Sequence, residues 1–353
     1  MHKTTTLMVA INLGPYQTVH ALESALDNTK ILYLVDGPAK VHRQTNNLPF
    51  FDLTDVISKW HSIDNFLRDS NITNIIRSCS ETSGKLNLEV LASISANTLD
   101  IPVYVVEDFP GNYRKVHGEQ IERLFIEQES LMDLHEERGV DRSIIRVSPN
   151  PRYQNMLAFN IEELHKQVVS KLGLGSQPHI MWAGQPDGTN SFRTLLRVLK
   201  HYKNREATIL FRAHPQDTLY HSGYYESLFT TVDINIIDVS EYDNIVELYS
   251  VSDVVMTQFS STAVEASHIG IPAIFVLFND IGKPHLELLK GYDTIPYTQN
   301  ECSFLIETKE DIQVTLDRAI YDQTLRDRVI DNFSREYGNL TNGLKCIIET
   351  LNV

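Results

Sequence analysis

Cysteine is scarce in this chain. Cys79, Cys302 and Cys346 lie far apart in 353 residues, and no two form a CxxC pair. That odd, scattered set argues against a disulfide framework and a structural zinc site, and it fits reduced thiols in the cytoplasm. Long apolar runs are missing as well. The longest, Ile271 to Phe278, is far shorter than the ~20 residues that span a bilayer. The apolar stretch near the start breaks at Asn12 and precedes no small-residue cleavage site, so it reads as a first β-strand rather than a signal peptide. Positive charge is short: 31 Lys plus Arg stand against 46 Asp plus Glu, a formal net charge of −15. Such a chain is ill suited to gripping DNA or RNA along a basic face. A small anion remains accessible, because helix N-termini and single side chains bind phosphate locally. There is no GxGxxG and no Walker sequence, which removes support for a redox dinucleotide or a P-loop. No period of 20–50 residues marks a solenoid.

What is present is the composition of a globular protein, 42% hydrophobic and 22% charged. The length exceeds what one core usually serves, so two domains are expected. Short β-branched runs at Leu7–Asn12, Ile31–Val35, Ile72–Arg77, Val103–Val106 and Ile144–Val147 predict strands. Between them, Thr18–Leu26, Leu86–Ala96 and Ile121–Glu137 carry helical spacing. The pattern then restarts, with strands at Ile180–Ala183, Thr208–Arg212, Ile234–Ile237, Val254–Thr257 and Ala273–Leu277. Helices are expected at Phe192–His201, Ile245–Tyr249 and Thr262–Ile269. Alternation of this kind predicts α/β architecture, parallel sheets with helices on both faces, twice over. The aperiodic, Pro-containing stretch Ser148–Asn160 marks a linker, followed by a helix Ile161–Leu172. This divides the chain into domains at 1–155 and 156–353. The long amphipathic pattern Thr315–Leu351 closes the second domain or crosses back to the first.

Three segments can carry chemistry. In Asp253-VVMTQFSSTAVEASHIGIP-Ala273 a buried strand runs into Ser260-Ser261-Thr262 and then a helix. Free backbone N–H groups and the hydroxyls there form an anion site, and Glu265, one turn further, can reach a ribose. The plain alternative is a helix cap with an acid on its dipole. In Ala207-TILFRAHPQD-Asp217 a second strand ends at His214-Pro215. Ligands of open parallel sheets bind outside the carboxyl ends of the strands, where an imidazole can donate to a phosphate oxygen. In Val103-YVVEDFPGNY-Tyr113 a strand of the first half ends at Glu107-Asp108, two acids of which one can serve as a general base. Their alternative is simple strand termination with solvated carboxylates. Gly14, in the first strand-to-helix turn, and Gly184-Gln185, in the matching turn of the second half, allow a ligand near the backbone. His20 is a further candidate base.

Together these segments resemble the nucleotide-sugar enzymes of the GT-B fold. Arg146-Val-Ser-Pro-Asn-Pro-Arg-Tyr153 is similar to the interdomain turn of non-hydrolysing UDP-N-acetylglucosamine 2-epimerases and of glycerophosphotransferases that build teichoic acid. Glu107-Asp108, His214-Pro215 and Ser260-Ser261 resemble the acidic, His-Pro and Ser-Ser motifs of bacterial sialyltransferases and capsule enzymes. The resemblance implies two Rossmann-like domains facing across a cleft. It implies a CMP- or UDP-linked sugar held by Gly184, Gln185, Pro215, Ser260, Ser261, Thr262 and Glu265. Asp108, or Glu107, would deprotonate an acceptor hydroxyl, with His214 beside the donor phosphate. No metal or other cofactor is expected, and the partners are the donor and a glycan or other hydroxyl acceptor. The leading expectation is a glycosyltransferase. A UDP-sugar 2-epimerase, a CDP-alcohol phosphotransferase and a non-catalytic nucleotide-sugar binder are the alternatives.

Overall fold

The computed structural model describes residues 4–26, 29–80, 86–186, 188–204, 206–242, 244–292, 294–338 and 340–351. The chain forms two compact units, Met1–Asn155 with Asn339–Val353, and Met156–Gly338.

The first unit holds a six-stranded sheet of β1 (Thr5–Ala10), β2 (Lys30–Val35), β3 (Asn74–Arg77), β4 (Val103–Val106), β5 (Arg123–Ile126) and β6 (Ile145–Val147), ordered β2-β1-β3-β4-β5-β6. Every pair is parallel. Apolar runs such as Leu7–Ala10 and Val103–Val106 are buried on both faces of the sheet because both are covered. On β1, Leu7 and Val9 join one core cluster, while Met8 and Ala10 join another on the opposite face. The second unit repeats the plan with β7 (His179–Ala183), β8 (Thr208–Arg212), β9 (Asn235–Asp238), β10 (Val254–Thr257), β11 (Ala273–Val276) and β12 (Phe304–Ile306). Their order is β12-β11-β10-β7-β8-β9, again all parallel. From the β9 edge this is third, second, first, fourth, fifth, sixth, the Rossmann order, with its reversal between β7 and β10.

Local chemistry sets the element ends. The helix Ile161–Leu172 starts where the Asn160 side chain accepts the Glu163 amide, and stops at Gly173 with φ +62°. Two expectations are corrected. Ile121–Glu137 is not one helix: it is β5, a 3₁₀ turn Glu129–Leu131 and a short helix Met132–Glu137. The run Leu124-Phe125-Ile126 is fully buried between β4 and β6, and a short buried run carries no period that tells helix from strand. Thr315–Leu351 is covered by three helices, Asp311–Tyr321, Gln323–Tyr337 and Leu340–Leu351. The last of these belongs to the first unit, so the second ends before it rather than at 353. Its Ile347 and Leu351 are buried against Met8, Tyr16 and Phe125, and the Ser148 hydroxyl donates to the Gly343 carbonyl at 3.1 Å. The division between the units falls inside Ser148–Asn160. Pro151–Ala158 winds into 3₁₀ turns, and Ser148, Asn150, Arg152 and Tyr153 are buried.

Candidate functional site

In the second unit, register brings the sequence motifs together. Ala183 pairs with both Thr257 and Arg212, so β7, β8 and β10 end in one row. The chain therefore leaves that row at three adjacent points: Gly184-Gln185, Ala213-His214 and Gln258-Phe259-Ser260. The Thr257 hydroxyl donates to the Ala183 carbonyl at 2.7 Å and fastens the two strands at the point of reversal. Open α/β sheets bind ligands at this crevice.

Ser260 has extended dihedrals, and its Oγ accepts the Thr262 amide at 3.2 Å while lying 2.9 Å from Thr262 Oγ1. It is thus the N-cap of the helix Ser261–His268, whose first turn points its N–H groups and positive dipole end at the crevice. Gly184 sits in a tight space. A Cβ there would stand 3.0 Å from the Arg212 carbonyl oxygen and 3.1 Å from the His214 nitrogen. The His214 ring has a defined tautomer: the Gln216 amide donates to Nδ1 at 3.1 Å, so the ring proton sits on Nε2 and that nitrogen is a donor. Glu265, half-buried, accepts the Tyr249 hydroxyl at 2.7 Å. Two expected donor residues are engaged within the protein. Gln185 is buried, with its amide on Ser191 Oγ and its side chain turned toward Gly184 O and Thr257 Oγ1. Pro215 shapes the turn, and its carbonyl lies 3.0 Å from His221 Nε2.

In the first unit, the acids sit at the carboxyl end of β4. Glu107 is 2% exposed; its Oε1 accepts the Tyr113 amide at 2.8 Å and lies 3.3 Å from His135 Nε2. Such a carboxylate holds the turn. Asp108 is 8% exposed and accepts Asn112 Nδ2 at 2.8 Å. The turn is braced by Asn150 of the Ser-Pro-Asn-Pro motif, whose Nδ2 donates to the carbonyls of both acids. Gly14 faces the same cluster: a Cβ on it would be 3.2 Å from Arg152 Nη1 and 3.5 Å from Asp108 Oδ2. His20 does not join them. Its Nδ1 lies 2.9 Å from the Tyr33 hydroxyl, which donates to Glu23 at 2.7 Å.

Sequence reasoning missed a buried acid at this edge. Glu89, 1% exposed, accepts the Ser80 amide at 2.7 Å, the Ser80 hydroxyl at 2.5 Å and the Ile11 amide at 3.3 Å. It ties the ends of β1 and β3, the reversal point of the first sheet. Burial pushes its carboxyl up to about 7, against the opposing pull of Arg77 and the Ser80 hydrogen bonds. Arg77 forms a buried ion pair with Glu119 nearby in the network. The signal for both was an acid or base inside an apolar run, which reads as a solvated helix face or a strand end without coordinates.

Among the described residues, no three His, Cys, Asp or Glu side chains gather as a metal site requires, and no helix is long and apolar enough to cross a membrane. A broad hollow of about 1080 Å³ is lined by Lys203, Val314, Tyr321 and Thr324. It lies beyond the far end of the helix Ser191–His201, away from the row of strand ends.

No protein-family model matches the chain, and no curated relative matches it in sequence. Solved structures do match. A UDP-GlcNAc 2-epimerase from Neisseria meningitidis bound to UDP-GlcNAc is 14% identical over 99% of both chains, with a TM-score of 0.69. A glycosyltransferase from Rickettsia africae is 15% identical over 99% of this chain and 98% of its own, with a TM-score of 0.67. An Anabaena protein in complex with UDP and glucose is 11% identical over 99% of both chains, with a TM-score of 0.65. What these likenesses establish is the fold: this chain is built of two Rossmann-like units of the GT-B type.

Proposed function

We propose that the chain is a nucleotide-sugar enzyme that binds a UDP-sugar at the carboxyl edge of its second sheet. The observation that carries this is the single row formed by Gly184, His214 and the Ser260-capped helix at the strand reversal. There the helix N-terminus receives the diphosphate, the Nε2–H of His214 donates to a phosphate oxygen, and Glu265 faces the ribose. The structures bound to UDP or UDP-GlcNAc with matching folds support uridine as the base.

Of the two reactions in view, epimerisation at C2 of the sugar is favoured. Whole-length likeness runs mainly to 2-epimerases, from Neisseria and from Methanocaldococcus jannaschii among others. Epimerisation removes and returns a proton at carbon, which demands acid and base groups rather than an acceptor pocket. The first unit offers Asp108, which with Arg152 borders Gly14, and the buried acids Glu89, Glu107 and Glu119. Glycosyl transfer is the second reading, supported by the Rickettsia likeness and by the same Asp108, which would then deprotonate an acceptor hydroxyl.

One incubation separates them. UDP-GlcNAc in D₂O without acceptor is followed by proton NMR. An epimerase produces the C2 epimer with deuterium at C2. A transferase leaves C2 protonated and consumes donor only when an acceptor is added. Absence of UDP binding in calorimetry would overturn both.

A further inference from the structure

We propose that Tyr249 sets the ribose selectivity of the nucleotide site by holding Glu265 in its recognition pose. This rests on the UDP-binding function proposed above, and deepens it.

Glu265 lies four residues after Ser261 on the capped helix. Helical side chains lean toward the N-terminus of their helix, so its carboxylate reaches back over the first turn, toward the level of Ser261 and Thr262. A glutamate left to itself samples several rotamers there, and would surrender that freedom each time a nucleotide bound. The fold removes the freedom in advance. Tyr249 is 0% exposed, on the helix Ile245–Ser250 that leads into β10. That helix is anchored from behind by His165, whose Nδ1 lies 2.7 Å from the Ser250 carbonyl. A ring so enclosed has one position, and its hydroxyl donates to Glu265 Oε2 at 2.7 Å. The bond fixes the carboxylate's plane, and with it the direction in which the group meets the ligand's hydroxyls. Tyr249 is therefore a positioning residue. It touches no ligand, and it acts on one part of the nucleotide only.

The test is calorimetric titration of wild type and Tyr249→Phe with UDP and with 2′,3′-dideoxy-UDP. The phenyl ring that fills the core is kept, and only the hydroxyl is lost. Wild type should prefer UDP over the dideoxy nucleotide by on the order of tenfold. In Tyr249→Phe, UDP affinity should fall most of that tenfold, while the affinity for dideoxy-UDP stays unchanged. Equal losses for both nucleotides, or a preference kept in full, would overturn the inference. Should Tyr249→Phe melt below the titration temperature, the same titrations are run on both proteins in the cold with trimethylamine oxide, which favours the compact state. A wild type that binds neither nucleotide overturns the UDP function itself, a result distinct from a preference that is insensitive to Tyr249.

Discussion

Replacing Glu89 by Gln should remove the fall in stability from acid toward neutral pH that burial of this carboxyl builds into the fold. The buried carboxyl titrates at about 7 in the fold, against an ordinary value of 4.5. Burial is the first cause, and Asp108 adds to it; Arg77 and the Ser80 hydrogen bonds oppose it. The folded state thus holds a proton that the unfolded chain has already released. Below pH 4.5 both states are protonated and Glu89 contributes no slope. Between 4.5 and 7, each pH unit costs about 1.4 kcal/mol of stability, and above 7 the loss levels off at ~3 kcal/mol. Gln keeps the shape and cannot ionise. Urea unfolding of wild type and Glu89→Gln at a series of pH values isolates the group, because their difference cancels the other titrations. That difference should shift by ~3 kcal/mol in favour of Gln between pH 4.5 and 8. A difference constant to within about 0.5 kcal/mol would refute the reasoning, and would mean that the donors from Ser80 and Ile11 outweigh burial.

Two further outcomes are expected. Gly184→Ala should weaken UDP binding by roughly tenfold, because its Cβ would press on the backbone at Arg212 and His214; unchanged affinity in a thermal-shift titration would remove Gly184 from the site. Asp108→Asn should lower turnover by about 10²–10⁴-fold and leave UDP affinity nearly intact, and full turnover with saturating substrate would exclude Asp108 as the base.

Much of the architecture was legible because a doubly covered parallel sheet writes each strand as an apolar run. Val103–Val106, Thr208–Arg212 and Val254–Thr257 were readable to the residue. The two strands that escaped had no such clarity. Arg123–Ile126 merged with the helical spacing behind it, and Phe304–Ile306 has three residues, too few for a period. Return of the last helix to the first unit had no local signal, since an amphipathic face does not name its partner. At the site, the strand-to-helix turns at Ser260 and His214 were visible as residue types at strand ends. Their convergence depended on strand order, which spacing does not encode. Glu107 and Asp108 look equivalent in sequence. Only burial and the Tyr113 amide distinguish a carboxylate that holds a turn from one that borders Gly14 and Arg152.

The helix Leu340–Leu351 has a consequence for how the protein is made. Its Ile347 and Leu351 complete one face of the first sheet, yet they are translated after the whole second unit. At ~5–20 residues per second, the nascent first unit waits roughly 10–40 s with Met8, Tyr16 and Phe125 short of their cover. During that interval its apolar face is open to chaperones and to neighbouring chains on the same message. The second unit, built from one uninterrupted stretch, carries no such delay. The order of synthesis and the order of completion are therefore reversed, and the first half to emerge is the last to be finished.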